Sequence, residues 1–131
     1  MILVDTSVWI DYLNGKQVWQ TDALDNILSK EWVLIGDIIL AEILQGFDKD
    51  SDYKKAKEAL DIFECINIGG KKLAVKSASN FRFLRSKGVT IRKTVDMLIG
   101  TWCIESEIEL LHNDKDFDRI ALHLPLKVLR E

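Results

Sequence analysis

Short apolar segments alternate with helix-like segments along this chain, and this alternation constrains the fold more than any other sequence feature. The predicted strands are the apolar runs at residues 2–4, 33–35, 65–68, 109–111 and 127–129. Periodicity and capping signals predict helices at 6–14, 21–30, 38–45, 51–61, 71–87, 94–105 and 116–123. Apolar strands separated by helices are typical of a parallel sheet covered on both faces, so the sequence predicts an α/β fold.

The chain has 131 residues, and we predict a single domain spanning residues 1–131. Because 47% of the residues are hydrophobic, the chain can bury a substantial core, which excludes intrinsic disorder. No apolar run reaches the roughly 18 residues of a membrane span, and the first residues lack a basic region and a cleavage site. We therefore expect a soluble, cytoplasmic protein without membrane contact. Cys65 and Cys103 show no metal-site or disulfide spacing, so we expect reduced core thiols.

Charge is strongly segregated along the chain, although the formal net charge is only -3. Residues 71–93 contain eight basic residues and no acid, which leaves ten basic and 21 acidic residues elsewhere. A basic tract in an otherwise acidic chain suits a protein that binds phosphates with one part and a divalent cation with another. The alternative is a solvated basic helix face that docks on an acidic neighbour.

Two aspartates follow predicted strands. Asp5 comes directly after the first strand, and Asp114 follows the strand at 109–111 after two intervening residues. Ligands of open parallel sheets bind outside the carboxyl ends of the strands, which makes both aspartates candidate site residues. Each could instead be an N-cap or a first-turn acid of the helix that follows.

Two further acids lie inside apolar helices. Glu42 is the only charged residue between Ile38 and Gln45, and Asp96 is the only one between Lys93 and Glu105. Acids are rarely buried without a partner or a metal, because desolvation of a carboxylate is unfavourable. The alternatives are an exposed stripe on each helix, a pair with a core arginine, or, for Asp96, a stabilising position in the first helical turn.

A parallel sheet could bring all four acids to one end and form a pocket of carboxylates. Like charges a few ångströms apart raise each other's pKa, and a hard divalent cation resolves this repulsion. Ligation by oxygen atoms alone favours Mg²⁺ or Mn²⁺ over zinc. A metal-bound water placed against a phosphodiester is a nucleophile for hydrolysis, so the acids would hold metal and the basic tract would hold phosphates.

Four segments together resemble the PIN-domain nucleases, and most closely the VapC-type toxins of bacterial toxin–antitoxin pairs. They are residues 1–11, the Glu42 helix, Thr94-Val95-Asp96 and Asn113-Asp114-Lys115-Asp116-Phe117. The resemblance implies a three-layer α/β/α fold with a central parallel sheet and Mg²⁺- or Mn²⁺-dependent endoribonuclease activity on RNA. It also implies a homodimer and a cognate antitoxin whose tail enters the acidic groove.

The resemblance carries over residue by residue. It makes Asp5, Glu42, Asp96 and Asp114 the catalytic, metal-binding acids, and Asp116 matches a more variable acidic position that also binds metal. Thr6 or Ser7 matches a hydroxyl that orients a carboxylate or a metal-bound water. Plain N-capping by either hydroxyl is the alternative.

One position departs from the family pattern. Many relatives have a hydroxyl residue two positions before the fourth acid, where this chain has His112. A hydroxyl contact is therefore not expected there, and His112 could be a packed residue at the strand end. Asp11, Asp37 and Asp118 are interpreted as surface or cap residues.

The basic tract is predicted to bind RNA through Arg82, Arg85, Arg92 and Lys93. The competing interpretation is that this face packs against a dimer partner or an antitoxin. The alternative functions for the whole chain are a non-catalytic PIN-like module that binds RNA or protein, and a phosphorylation-receiver domain. A receiver requires two adjacent acids after its first strand, whereas this chain has Asp5-Thr6.

Overall fold

Four parallel strands form the centre of the molecule. The structure is a computed structural model that describes residues 1–30 and 32–131. The strands are β1 (Ile2–Val4), β2 (Val33–Gly36), β3 (Glu64–Ile66) and β4 (Glu109–Leu111), in the order β3-β2-β1-β4. Every pairing is parallel, and Leu3 of β1 pairs with Leu34 on one side and Leu110 on the other. The predicted parallel sheet is therefore confirmed.

Seven helices surround the sheet in the described residues. They are α1 (Thr6–Leu13), α2 (Trp19–Ile27), α3 (Asp37–Gln45), α4 (Asp50–Leu60), α5 (Lys71–Ser86), α6 (Thr94–Ser106) and α7 (Lys115–Ala121). The first four helices contact one another, and α6 contacts both α5 and α7. The chain moves across the sheet in one direction from β1 to β3 and returns for β4, so right-handed crossovers place the two helix groups on opposite faces. The result is the expected three-layer α/β/α architecture.

The core lies between the sheet and these two helical layers. Leu3, Leu34 and Leu110 are buried on adjacent strands, and Ile39 and Ile99 pack against them from α3 and α6. No helix within the described residues is long and apolar enough to cross a membrane.

Several sequence expectations were wrong at the edges of elements. Residues 127–129 form no strand: Val128 makes one isolated bridge to Leu110, because only two backbone hydrogen bonds flank Leu110 and no ladder continues from them. The third strand ends at Ile66, since the N–H of Ile68 donates instead to Oδ1 of Asp37 at 2.9 Å. Cys65 is exposed rather than in the core, because β3 is an edge strand, whereas Cys103 is buried.

Helix starts also differ from the sequence prediction. The second helix begins at Trp19 instead of residue 21. Its N-cap is Val18, whose N–H donates to the Thr21 hydroxyl at 3.1 Å. The N-cap of α3 is Gly36, whose backbone is extended, and Asp37 is the first helical residue. Oδ1 of Asp37 accepts from the N–H of Ile38 at 2.8 Å and from the N–H of Ile68 at 2.9 Å.

Candidate active site

The site lies where the chain reverses its direction across the sheet. Strand β1 has β2 on one side and β4 on the other, so the connections leaving their carboxyl ends diverge there and leave a crevice. The N–H of Asp5 donates to the carbonyl of Leu111 at 2.9 Å, which joins the ends of β1 and β4. The two strand-end aspartates, Asp5 and Asp114, are therefore brought to the same crevice.

The crevice contains a pocket of about 290 Å³. Its lining includes all four predicted acids: Asp5, Glu42, Asp96 and Asp114. They reach it from the end of β1, from α3, from α6 and from the start of α7, respectively. Lys93, at the N-cap of α6, is the basic residue of the lining.

Asp5 is a buried N-cap held by the residue two positions later. Its Oδ2 accepts hydrogen bonds from the Ser7 hydroxyl at 2.6 Å and from the Ser7 N–H at 3.1 Å. Burial raises the pKa of Asp5 above its usual value, and the Ser7 hydrogen bonds oppose that rise. The cap of α1 is thus Asp5 itself, which leaves the hydroxyls of Thr6 and Ser7 available for other contacts.

Both hydroxyls make contacts around the acids. Thr6 Oγ1 donates to Oε1 of the half-buried Glu42 at 2.8 Å. Ser7 Oγ donates to Asp5 and accepts from the N–H of Asn113 at 3.0 Å, one residue before Asp114. The start of α1 therefore connects three of the elements that carry acids.

Asp96 is a buried acid of the pocket with a strongly raised pKa. Its residue is 7% exposed, and Oδ2 has no hydrogen-bond partner among the described residues. Burial, followed by the negative charges of Asp5 and Asp114, raises its pKa to about 7, although Lys93 lowers it. A buried carboxyl oxygen without a partner in a pocket of like charges is a group that a bound cation would satisfy.

Asp114 is positioned by two of its neighbours. Its N–H donates to Nδ1 of His112 at 3.1 Å, and its Oδ1 accepts from the N–H of Asp116 at 2.9 Å as the N-cap of α7. Burial lowers the pKa of His112, so the ring is neutral at pH 7. Since Nδ1 accepts, the proton is on Nε2, which lies 3.3 Å from Oδ1 of Asp118. His112 is a buried residue at the strand end that supports Asp114.

Asp116 does not line the pocket. Its buried carboxylate faces two arginines, with Arg92 Nε 3.5 Å from Oδ2 and Arg119 Nη1 3.3 Å from Oδ1. Its predicted role as a further metal ligand stays a prediction.

The four basic residues predicted to bind RNA fall into two groups. Lys93 lines the acidic pocket, and the adjacent Arg92 contacts Asp116. Arg82 lines a separate groove of about 380 Å³ between α5 and α6, and the guanidinium of Arg85 lies 5.6 Å from the ring centre of Phe81. Sequence reasoning missed Arg119, although its i+3 spacing from Asp116 was a usable signal.

The donor set suits a hard cation, because every acid in the pocket offers carboxylate oxygens. Within residues 1–30 and 32–131, however, no three His, Cys, Asp or Glu side chains already form a metal-binding cluster. Binding a metal would therefore require the acidic side chains to move closer together. The partnerless oxygen of Asp96 and the shared pocket support such an arrangement.

A sequence model of the PIN domain matches residues 2–122 of the chain. Ribonuclease VapC11 of Mycobacterium tuberculosis is 29% identical over 123 residues, and the alignment covers 92% of each protein. The PIN-domain match, over residues 2–122, includes all four acids of the pocket. It gives no support to the receiver-domain alternative.

Two solved structures share the fold. VapBC2 from Rickettsia felis, bound to a DNA fragment from its promoter, aligns with a TM-score of 0.75 at 23% identity over 98% of both chains. A toxin–antitoxin complex from Klebsiella pneumoniae aligns with a TM-score of 0.68 at 23% identity, covering 89% of this chain and 90% of the other.

Proposed function

Because the chain belongs to the PIN-domain family, we propose that it is a Mg²⁺- or Mn²⁺-dependent endoribonuclease and the toxin of a type II toxin–antitoxin pair. The observation that carries the proposal is the pocket formed by Asp5, Glu42, Asp96 and Asp114. The raised pKa of Asp96 and its partnerless Oδ2 support a site built to receive a cation.

In this proposal the four pocket acids hold the metal. When bound, Mg²⁺ or Mn²⁺ would activate water and stabilise the negative charge that develops on a phosphodiester. Thr6 and Ser7 orient the carboxylates of Glu42 and Asp5 through the hydrogen bonds described above.

Substrate binding in this proposal uses the basic tract. Arg82, Arg85, Arg92 and Lys93 would contact RNA phosphates, and Lys93 stands where the tract meets the acids. Its charge offsets part of the repulsion between the acidic pocket and an approaching phosphate.

The proposed partners are a cognate antitoxin and a second copy of the chain. Similarity to VapC11 and to a toxin–antitoxin complex supports the antitoxin. An arginine or lysine of the antitoxin, inserted among the four carboxylates, would form charge-assisted hydrogen bonds in place of the metal.

The direct test incubates the purified, partner-free protein with end-labelled RNAs, with Mg²⁺ or with EDTA, and maps the cleaved ends. We expect cleavage only with the metal and none by Asp5→Asn or Asp96→Asn, which should still bind RNA. Near wild-type cleavage by both variants at millimolar Mg²⁺ would overturn the metal mechanism. RNA binding without cleavage by the wild type under any metal condition would identify a binding module instead.

The toxin role is tested separately in cells. Strong induction of the chain alone should arrest growth, and co-expression of the neighbouring reading frame should restore it. Normal growth despite abundant folded protein would contradict the toxin role without bearing on cleavage in vitro.

A further inference from the structure

A buried carboxylate holds two exposed arginines beside the acidic pocket. The group consists of Arg92, Asp116 and Arg119 and is called the Asp116 trio below. The Asp116 side chain is only 4% exposed, whereas those of Arg92 and Arg119 are 76% and 44% exposed. The trio therefore has a fixed anionic centre and a cationic outer surface with a net charge of +1.

Both guanidinium groups keep unused hydrogen-bond donors. Arg92 approaches Asp116 through Nε and Arg119 through Nη1, while each guanidinium has five N–H bonds. In the described part of the chain, neither arginine forms an ion pair with any other acid. The remaining N–H groups match the geometry of a phosphate, which arginine recognises through paired hydrogen bonds.

The position of the trio relates it to the candidate active site. The N–H of Asp116 donates to Oδ1 of Asp114, one of the four pocket acids. Arg92 directly precedes Lys93, which lines the same pocket. An anion bound by the trio would thus lie next to the acids but outside the metal set.

We propose that Arg92 and Arg119, positioned by Asp116, bind a phosphate of single-stranded RNA adjacent to the one that is cleaved. This inference rests on the proposed nuclease function and deepens it by adding Arg119 to the substrate site. It gives Asp116 the role of a positioning residue for two arginines. Arg119 donates a hydrogen bond to Oδ1 of Asp116, and Arg92 forms an ion pair with Oδ2, which has no hydrogen-bond partner among the described residues. The negative charge of the buried carboxylate therefore keeps both guanidinium groups near each other.

The first test measures the affinity for a fluorescent single-stranded oligoribonucleotide in EDTA at several KCl concentrations. The double variant Arg92→Gln/Arg119→Gln should lower the slope of log affinity against log salt by about 0.7, the value of one phosphate contact. Glutamine keeps a donor for the buried carboxylate, so the fold should survive. The control Lys54→Gln, at an exposed position on α4, should leave the slope unchanged. Arg119→Lys alone keeps the positive charge and should retain most of the wild-type slope.

The second test measures whether removing the negative charge of Asp116 strengthens or weakens RNA binding. Removing an acid near a nucleic-acid site should strengthen RNA binding by weakening electrostatic repulsion. We expect Asp116→Asn to weaken binding instead, because both arginines lose their common anchor. Glu105→Gln, which removes an exposed acid beside Lys72 and Lys76 of the basic tract, should bind RNA at least as tightly as the wild type. EDTA is present throughout, so metal ligation does not contribute.

Two outcomes would overturn this inference. One is an unchanged salt slope in the double variant, and the other is tighter RNA binding by Asp116→Asn. An unchanged slope with an altered oligomer size in light scattering would assign the trio to a protein interface instead. In each case the proposed nuclease function would still hold if the wild type cleaved RNA with Mg²⁺. If the wild type did not cleave RNA, both the proposed function and this inference would be wrong.

Discussion

The hydroxyl of Thr6 donates a hydrogen bond to Oε1 of Glu42 at 2.8 Å, between residues 36 positions apart. Thr6 is the first residue of α1, and Glu42 lies in the middle of α3, which packs against α1. Because the Thr6 hydroxyl holds Oε1 of Glu42, it also fixes the direction in which the second carboxylate oxygen, Oε2, points. The packing of two helices therefore controls how Glu42 enters the acidic pocket.

The Thr6→Val variant should weaken metal activation. It removes the hydroxyl while keeping a branched side chain, so Glu42 loses its orienting donor. Groups that orient metal ligands typically change metal affinity by about 10–100-fold when removed. We expect the Mg²⁺ concentration for half-maximal RNA cleavage to rise by about tenfold.

Thr6→Ser is the matched control because it keeps the hydroxyl. Its Mg²⁺ requirement should stay near that of the wild type. If Thr6→Val and Thr6→Ser titrated identically with Mg²⁺, the orienting role of the hydroxyl would be wrong.

Asp96→Asn should stabilise the metal-free protein at high pH. The ordinary pKa of an aspartate carboxyl is 3.8, and the folded protein raises the pKa of Asp96 to about 7. The folded state therefore binds the proton more tightly, and ionisation penalises folding increasingly as the pH rises from 4 to 7. The asparagine variant avoids this penalty, so its advantage in the free energy of unfolding should grow over that range to no more than about 4 kcal/mol.

Urea denaturation in EDTA at pH 4.5, 6 and 8 measures this advantage. Asp48→Asn, at an exposed position, should show no comparable pH-dependent gain. Added Mg²⁺ should stabilise the wild type at pH 8 and have little effect on Asp96→Asn, since ligand binding to the folded state adds stability. Lower stability of Asp96→Asn than of the wild type at pH 8 in EDTA would refute the penalty.

Replacement of His112 should affect the site through the backbone of Asp114. His112→Leu leaves the half-buried Asp114 N–H without its acceptor and should lower the free energy of unfolding by about 1 kcal/mol. His112→Asn places an amide oxygen near the Nδ1 position and should retain more of the stability and cleavage rate. Equal loss of cleavage in both variants would argue against the acceptor role.

A buried hydrogen bond that joins α5 to α6 should affect stability alone. Asn80 Nδ2 donates to Thr101 Oγ1 at 3.1 Å, and both residues are buried. Thr101→Val leaves the Asn80 amide unpaired and should lower the free energy of unfolding by about 1–3 kcal/mol. The double variant Asn80→Leu/Thr101→Val should recover part of that loss. RNA cleavage measured on the folded fraction should be unchanged in every variant.

Local sequence patterns predicted the order of the main elements because each is a contiguous signal. The first strand was predicted at 2–4 and spans Ile2–Val4, and the long basic helix was predicted at 71–87 and spans Lys71–Ser86. Glu42 and Asp96 were identifiable because a single charge in an apolar helix is conspicuous. Their meeting in one pocket then follows from the parallel sheet.

Features that depend on distant parts of the chain were not predictable in this way. The exposure of Cys65 depends on β3 being an edge strand, which only the strand order determines. The contact of Arg92 with Asp116 depends on how α7 lies against the loop before α6, whereas Arg119 contacts Asp116 within the same helix. A sequence pattern records the spacing of residues along one element, not the neighbours that element acquires.

The pairing of β1 with β4 determines when this protein can become active during its synthesis. Domains begin to fold as they leave the ribosome, but the pocket needs Asp5 from the first strand and Asp114 from beyond the last. While β4 is still inside the ribosome, one side of β1 has no partner strand and the nascent domain lacks the fourth acid, Asp114. We expect ribosome-bound chains stalled before residue 109 to show no cleavage, so that almost the whole domain is translated before its own chemistry begins.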